Sequence, residues 1–334
     1  MKKMRLAMIG AGYIADYHVR GLQKIENVEV TAVAALPLAA AEAFAGKYHI
    51  RHFTDDAISL ADHPEVDAVI IGTPNKFHAP FAIEFLKKGK DVFLEKPMAM
   101  SVAEGETVAA EAKAHDALVM VGHMWRFDTE VNYLKNVIDS GKIGTIFKTK
   151  GYGIHENWGP AGWFTQKDLA GGGALADMGV HAIDTVRYIL GEPNPVSVYA
   201  RIGTYFGDYD VDDSGLILIN WDNQVTSVIE SGWWHPHMDG PEASTQLFGT
   251  KGYARLFPTE LKFKVDNMPG TFNAPMPEKS EHCDQTIYDR QMAHFVDSLR
   301  QRKNPIPGID EGMTVLKIVD AAYRSGVSGE VVLL

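Results

Sequence analysis

"RLAMIGAGYIA", residues 5–15, decides the fold. Five mostly apolar residues run into Gly10-Ala11-Gly12, and the chain then continues with helical character. Strand, glycine turn and helix in that order open a dinucleotide-binding unit. Gly10 permits the tight bend, Gly12 lets backbone approach a pyrophosphate, and Ala15 stands where a third glycine often stands. Backbone N–H groups and the positive end of the following helix would hold the phosphates.

Further short apolar runs follow at 28–34 (VEVTAVA), 67–71 (DAVII), 91–94 (DVFL) and 118–121 (LVMV). They are spaced by helix-length segments, the pattern of a parallel sheet. Ser101 and Glu104 have capping-box spacing and predict a helix from there to about His115. The polar clusters "GTPNKFH" (72–78), "EKP" (95–97) and "GHMWRF" (122–127) each follow a strand, and ligands of open α/β sheets bind at those carboxyl ends. At the end of the second strand an acidic residue normally bonds the adenosine ribose. Here that place is Ala35, with no arginine just after it to bind a 2′-phosphate, so the cofactor is NAD or NADP.

Beyond residue 124 the pattern becomes long alternating segments at 145–154, 196–206, 214–221 and 224–234. They predict a largely antiparallel sheet with helices on one face, and helices over roughly 286–302 and 310–325 that return to brace the assembly. Residues 266–285, with Pro269, Pro275 and Pro277, read as a surface loop. Trp221, Trp233 and Trp234 read as core. The chain therefore divides into a nucleotide-binding domain, 1–123, and a substrate and oligomerisation domain, 124–334, whose late helices could pack back on the first.

Composition agrees with two domains, because 334 residues exceed what one hydrophobic core usually organises. The formal net charge of −11, with both signs interspersed, provides no basic face for nucleic acid. The single cysteine, Cys283, forms no internal disulfide and fits a reducing compartment. Lys2, Lys3 and Arg5 before an apolar stretch imitate a signal peptide, but Asp16, His18 and Arg20 spoil the imitation. No apolar run is long enough to span a bilayer, and the expected location is the cytoplasm.

Candidate chemistry gathers at three residues. In "GGGALADMGVHAID", 171–184, Asp177 and His181 stand four apart on an apolar, helix-patterned stretch. A carboxylate bonded to one imidazole nitrogen sets the tautomer and leaves the other nitrogen free to take a proton. Lys96, in "FLEKP" at the end of a buried strand, could steady an alkoxide as hydride leaves, with Pro97 stiffening the chain beyond it. "HENWGPAGWF", 155–164, offers groups suited to a sugar ring, and His155, Trp158 and Trp163 are the candidate substrate or lid residues. His123 reads as a satisfied polar residue. His235, His237 and Asp239 in "WWHPHMD" lack a further ligand cluster, and no metal is assigned.

The motifs "MIGAGYIADYHV", "VIIGTPNKFHAPFAIEFLKKGKDVFLEKPMAMS", "GKIGTI", "GGGALADMGVHAIDTVRYILG" and "GTKGYARL", in this order, resemble the GFO/IDH/MocA oxidoreductases over nearly the whole chain. The resemblance implies an α/β protein with an N-terminal Rossmann domain and a C-terminal α/β domain bearing an open, predominantly antiparallel sheet. It implies NAD(P)-linked oxidoreduction of a small sugar or polyol, and homodimers or homotetramers built through that sheet. Position by position, it implies Lys96, Asp177 and His181 as catalytic residues. Gly10, Gly12, Tyr13 and Ile14 would line the pyrophosphate. Thr73, Asn75 and His78 would flank the ribose and nicotinamide, and Glu95 with Pro97 would frame the ring. Ala35 departs from the acidic residue of NAD-linked relatives. "GHMWRF" lacks the asparagine and the first arginine of the family pattern, leaving Arg126 as the expected substrate contact from that strand end. Two other readings stay open: a dinucleotide-dependent binding or regulatory protein of the same fold, and a reductase of a dicarbonyl sugar.

Overall fold

The computed structural model describes residues 3–236, 241–265, 268–276 and 284–334. Cys283, His237 and Asp239 lie outside the described residues. The chain forms two compact units, Met1–Met124 with Ser280–Met313, and Trp125–Lys279 with Thr314–Leu334. A single cut after residue 123 therefore leaves out two further crossings, since residues 280–313 belong to the first unit.

The first unit alternates β1 (Met4–Ile9), α1 (Tyr13–Leu22), β2 (Val28–Ala34), α2 (Leu38–Tyr48), β3 (His52–Thr54), β4 (Ala68–Ile71), α3 (His78–Leu86), β5 (Asp91–Leu94), α4 (Val102–Ala114) and β6 (Val119–Val121). The strands form one parallel sheet in the order β3-β2-β1-β4-β5-β6. Strand order reverses at β1 and β4, which places the glycine turn at the switch point where open α/β sheets bind ligands. Helices cover both faces, so β4 and β6 are buried at every residue and read as unbroken apolar runs. The helix Gln285–Gln301 packs on this unit, its Phe295 meeting Phe93 edge-on at 5.6 Å.

Ser101 caps α4 as its spacing predicts, accepting from the Glu104 N–H at 3.2 Å. The return bond differs. Glu104 Oε2 accepts from Met100 N rather than from the cap residue itself, drawing the chain that leaves "EKP" onto the helix.

The second unit carries α5 (Thr129–Asp139), α6 (Lys167–Ala170) and α7 (Val180–Ile189). Its strands are β7 (Ile146–Glu156), β8 (Pro195–Gly203), β9 (Ser214–Trp221), β10 (Thr226–His235), β11 (Ala243–Gly249), β12 (Gly252–Arg255), β13 (Glu260–Val265), β14 (Met268–Asn273) and β15 (Val332–Leu333). They form a nine-stranded sheet, β14-β13-β12-β11-β7-β10-β9-β8-β15, antiparallel except where β7 and β10 run parallel. The surface loop expected at 266–285 is corrected at Met268–Asn273. That segment is an edge strand on β13, and its Pro269 stands at the edge, where a missing N–H is tolerated.

One sheet face is closed. Ile217, Ile219, Trp221 and Ile229 pack with Ile183 and Val186 of α7 and with Val315, Ile318 and Ala322 of the helix Ile309–Ser328. The opposite face leaves Leu216 and Leu218 exposed beside Val228 and Tyr199. Of the three tryptophans expected in the core, Trp221 and Trp233 are buried, but Trp234 is 40% exposed. No helix among the described residues is long and apolar enough to cross a membrane.

Candidate cofactor and catalytic site

In the first unit the glycine turn is built for close approach. Gly10 has φ +103°, and a Cβ there would stand 2.3 Å from the Gly72 carbonyl oxygen, so the turns after β1 and β4 touch through backbone. Gly12 is the opposite case: a Cβ on it would meet nothing within 4 Å. As the N-cap of α1 it offers no side-chain oxygen. Tyr13 beside it is 68% exposed, with its hydroxyl 2.9 Å from that of Tyr17, and Ile14 is half-buried. Thr73 Oγ1 is buried and has no hydrogen-bond partner among the described residues. An uncapped helix start, an open glycine and an orphaned hydroxyl fit the phosphates and ribose of a dinucleotide. Ala35 follows β2 as expected, and the residues after it, Leu36 and Leu38, are exposed. This side of the turn presents hydrocarbon where a ribose-binding carboxylate would stand.

Two of the expected cofactor-site residues, His78 and Glu95, are buried. His78 is buried at the start of α3, with Nδ1 2.7 Å from the Pro97 carbonyl and Nε2 2.9 Å from that of Thr73. Burial lowers its pKa, against the pull of the two carbonyls. Its side chain ties the turn after β4 to the turn after β5. Glu95 is likewise buried, bonding His18 Nε2 at 2.7 Å and accepting from the Lys96 N–H at 3.1 Å. Burial raises its pKa, but the hydrogen bond and charge of His18, with the charge of Lys96, outweigh that and hold the carboxyl below its ordinary value. The stability this pairing supplies is present above the ordinary carboxylate range and is lost as pH falls through the depressed pKa. Glu95 thus anchors the strand end that carries Lys96, while Lys96 itself is partly exposed. Asn75 and Pro97 are buried.

In the second unit the three glycines lead into a π-helical turn, Leu175–Gly179, before α7 begins. The even helix expected around Asp177 and His181 is corrected here. Wider i→i+5 turns recur at functional sites, and they change the angular offset between residues four apart. His181 is buried, its ring 5.2 Å from that of Trp125. Asp177 is partly exposed and accepts from Trp233 Nε1 at 3.1 Å. His155 Nε2 lies 3.9 Å from the same carboxylate oxygen. The His155 ring stacks on Trp158 at 3.6 Å, and Glu242 accepts from Trp158 Nε1 at 2.6 Å. Trp163 stacks on Phe164 at 3.8 Å. The second unit therefore groups Asp177, His155 and Trp158, and leaves Trp163 with its neighbour.

Arg126, the expected substrate contact, forms a buried ion pair. Its guanidinium is buried and bonds Asp184 three times, Nε at 3.1 and 2.9 Å and Nη2 at 2.7 Å, while Nη1 bonds Glu192 at 2.5 Å. Burial works against this charge, yet the two carboxylates raise its pKa further. It joins α7 to the segment before α5. Removing one partner leaves a buried charge, so Arg126→Ala is expected to lower stability by about 3–5 kcal/mol in urea denaturation. Adding Asp184→Ala should restore part of it. A large rise in substrate KM with an unchanged unfolding midpoint would show the arginine at work on a ligand after all.

Trp125, Trp233, Glu242, His18 and Asp212 border the candidate residues without having been singled out. Trp233 carried only a core signal in the sequence, Trp125 and His18 stood unassigned within "GHMWRF" and "MIGAGYIADYHV", and Glu242 and Asp212 had no local signal. Among the described residues no group of three His, Cys, Asp or Glu could hold a metal ion.

A family model described as an oxidoreductase family with an NAD-binding Rossmann fold matches residues 4–123, and one for the GFO/IDH/MocA C-terminal domain matches 131–255. The chain is 29% identical over 343 residues to D-glucoside 3-dehydrogenase of Escherichia coli (strain K12), covering 98% of this chain and 96% of that protein. It is 27% identical over 334 residues to scyllo-inositol 2-dehydrogenase (NAD(+)) of Bacillus subtilis (strain 168), covering 98% and 95%. Among solved structures, levoglucosan dehydrogenase in complex with NADH and L-sorbose has the same fold, with TM-score 0.90 at 23% identity over 100% of this chain and 99% of that one.

Proposed function

The chain belongs to the GFO/IDH/MocA oxidoreductase family, and from that premise we propose that it moves hydride between NAD and a secondary alcohol or ketone of a sugar or polyol ring. Relatives named for a glucoside and an inositol support the substrate class, and one named for NAD(+) supports the cofactor. We assign nucleotide binding to the first unit and substrate binding to the second. Gly10, Gly12, Tyr13, Ile14 and Thr73 hold the dinucleotide. When bound, its nicotinamide supplies the carbon that takes the hydride.

The protein's own residues then handle the proton and the oxygen. His181 accepts the hydroxyl proton, Asp177 stabilises the imidazolium, and Lys96 steadies the alkoxide oxygen. His155 and Trp158, beside Asp177, contact the sugar ring. The observation that carries this reading is the joint presence of Lys96 after β5, Asp177 in the π turn and His181 in the first turn of α7. The single cysteine supports a cytoplasmic enzyme. The outward sheet face with Leu216, Leu218 and Val228 is where we place the contact between copies of the chain.

The test is titration with NAD⁺ and NADP⁺, followed by a stereochemically complete panel of polyols and sugars monitored at the reduced-nicotinamide band. Turnover of at least one ring alcohol, with NAD⁺ preferred, is expected. Tight dinucleotide binding with no absorbance change on any member, in either direction, would replace the enzyme by a binding protein of the same fold.

A further inference from the structure

Asp212, in the connection between β8 and β9, is a buried carboxylate that the proposed chemistry does not use. Its Oδ1 accepts from Gly173 N at 2.8 Å and from the Tyr323 hydroxyl at 2.7 Å, its Oδ2 accepts from Leu175 N at 2.8 Å, and its carbonyl accepts from Ala174 N at 2.8 Å. Three consecutive N–H groups at the entry to the π turn are thus held by one residue some 40 positions further along the chain. The local N-cap, Ala174, supplies no side-chain oxygen. A carboxylate at this end also meets the positive end of the helical dipole.

The glycines before the turn fit around this clamp. A Cβ on Gly173 would lie 1.8 Å from the Asp212 carbonyl oxygen, and one on Gly172 would lie 2.0 Å from the Tyr323 hydroxyl. Burial raises the Asp212 pKa, while the three donors to its carboxylate pull the other way. A desolvated carboxylate is costly, and it persists where its bonds fix something in place.

We infer that Asp212 is a positioning residue for the proposed acid–base pair: it sets where the π turn begins and hence where Asp177 and His181 point. The inference rests on the reading of those two residues as catalytic. The adjacent Asp213 is a built-in comparison. It is also buried and accepts from Tyr205 N (2.8 Å), Phe206 N (2.8 Å), Gly207 N (3.3 Å) and the Tyr209 hydroxyl (3.0 Å), none of them on the segment that bears Asp177 and His181.

The experiment compares Asp212→Asn, Asp213→Asn and Tyr323→Phe in the full-length protein. Thermal unfolding, NADH affinity by fluorescence and the pH profile of kcat are measured on each. Both aspartate variants should lose stability. Asp212→Asn should lower kcat by about 10²-fold, the scale of a misplaced catalytic group, and should move the titration seen in kcat, with NADH affinity retained. Asp213→Asn should keep kcat within about threefold. Tyr323→Phe keeps the carboxylate and removes one donor, so it should give a smaller kcat loss in the same direction, and it decides the matter if Asp212→Asn does not fold. If Asp212→Asn, or Tyr323→Phe in its place, retains kcat and its pH profile while losing stability as Asp213→Asn does, the positioning role is refuted. If His181→Ala keeps its turnover, the underlying catalytic reading fails instead, whatever Asp212 does.

Discussion

His181→Ala is expected to lower turnover of a ring alcohol by about 10²–10⁴-fold, the contribution of a general base near neutral pH. The loss should fall on kcat, because the imidazole acts on the proton that leaves in the transition state and not on cofactor binding. Lys96→Ala should cost about 10²–10³-fold by removing the charge that meets the developing alkoxide. Its neighbours Glu95 and His18 hold the strand end without the lysine side chain, since Glu95 bonds the Lys96 backbone N–H. NADH affinity should therefore survive both substitutions and the unfolding midpoint should survive Lys96→Ala, whereas truncating the buried His181 ring beside Trp125 should lower the midpoint. Initial rates on the best panel substrate, with NADH binding followed by fluorescence, check this directly. Rates within about tenfold of the parent in either variant would remove that residue from the mechanism.

Gly173→Ala is the second large effect, and it acts on the fold. The added methyl would sit 1.8 Å from the Asp212 carbonyl oxygen, a backbone atom whose own bond to Ala174 N holds it in place. No flexible side chain can move aside, so a loss of about 4 kcal/mol or more is expected, enough to unfold a marginal domain. Gly12→Ala provides the contrast, because nothing stands within 4 Å of the new methyl. That variant should unfold at the parent midpoint and bind NAD more weakly, since the methyl occupies the space the backbone offers to the phosphates. Urea denaturation and NAD titration of the two variants separate packing from ligand access. Equal stability for Gly173→Ala and the parent would mean the helix entry is held otherwise than the structure has it.

The ion pair of Arg126 shows why part of the site was illegible. An arginine two residues after "GHM", at the end of a strand, has the sequence position of a ligand contact. Its partner Asp184 lies 58 residues away on α7, in a stretch that reads as a plain amphipathic helix. Nothing local distinguishes an arginine that faces a substrate from one that faces a buried carboxylate. His78 and Glu95 repeat the lesson within the first unit, where no local signal showed that His78 lies against the Pro97 and Thr73 carbonyls or that Glu95 bonds His18. Lys96 was easier to read, because a lysine closing an apolar strand has few structural uses.

By itself the sequence determined the alternation of strands and helices up to residue 121 except the short strand His52–Thr54, the glycine turn that starts it, the cap at Ser101 and the two late helices. These features depend on periodicity and on the backbone preferences of a few adjacent residues, and both are written locally. Only the tertiary structure decided that β7 and β10 pair in parallel, that 268–273 is an edge strand, and that Asp212 and not a local cap holds the entry to the segment bearing Asp177 and His181. Each of these joins residues that are distant along the chain. Such partnerships are settled by which surfaces can be buried together, a condition that no single stretch of sequence contains.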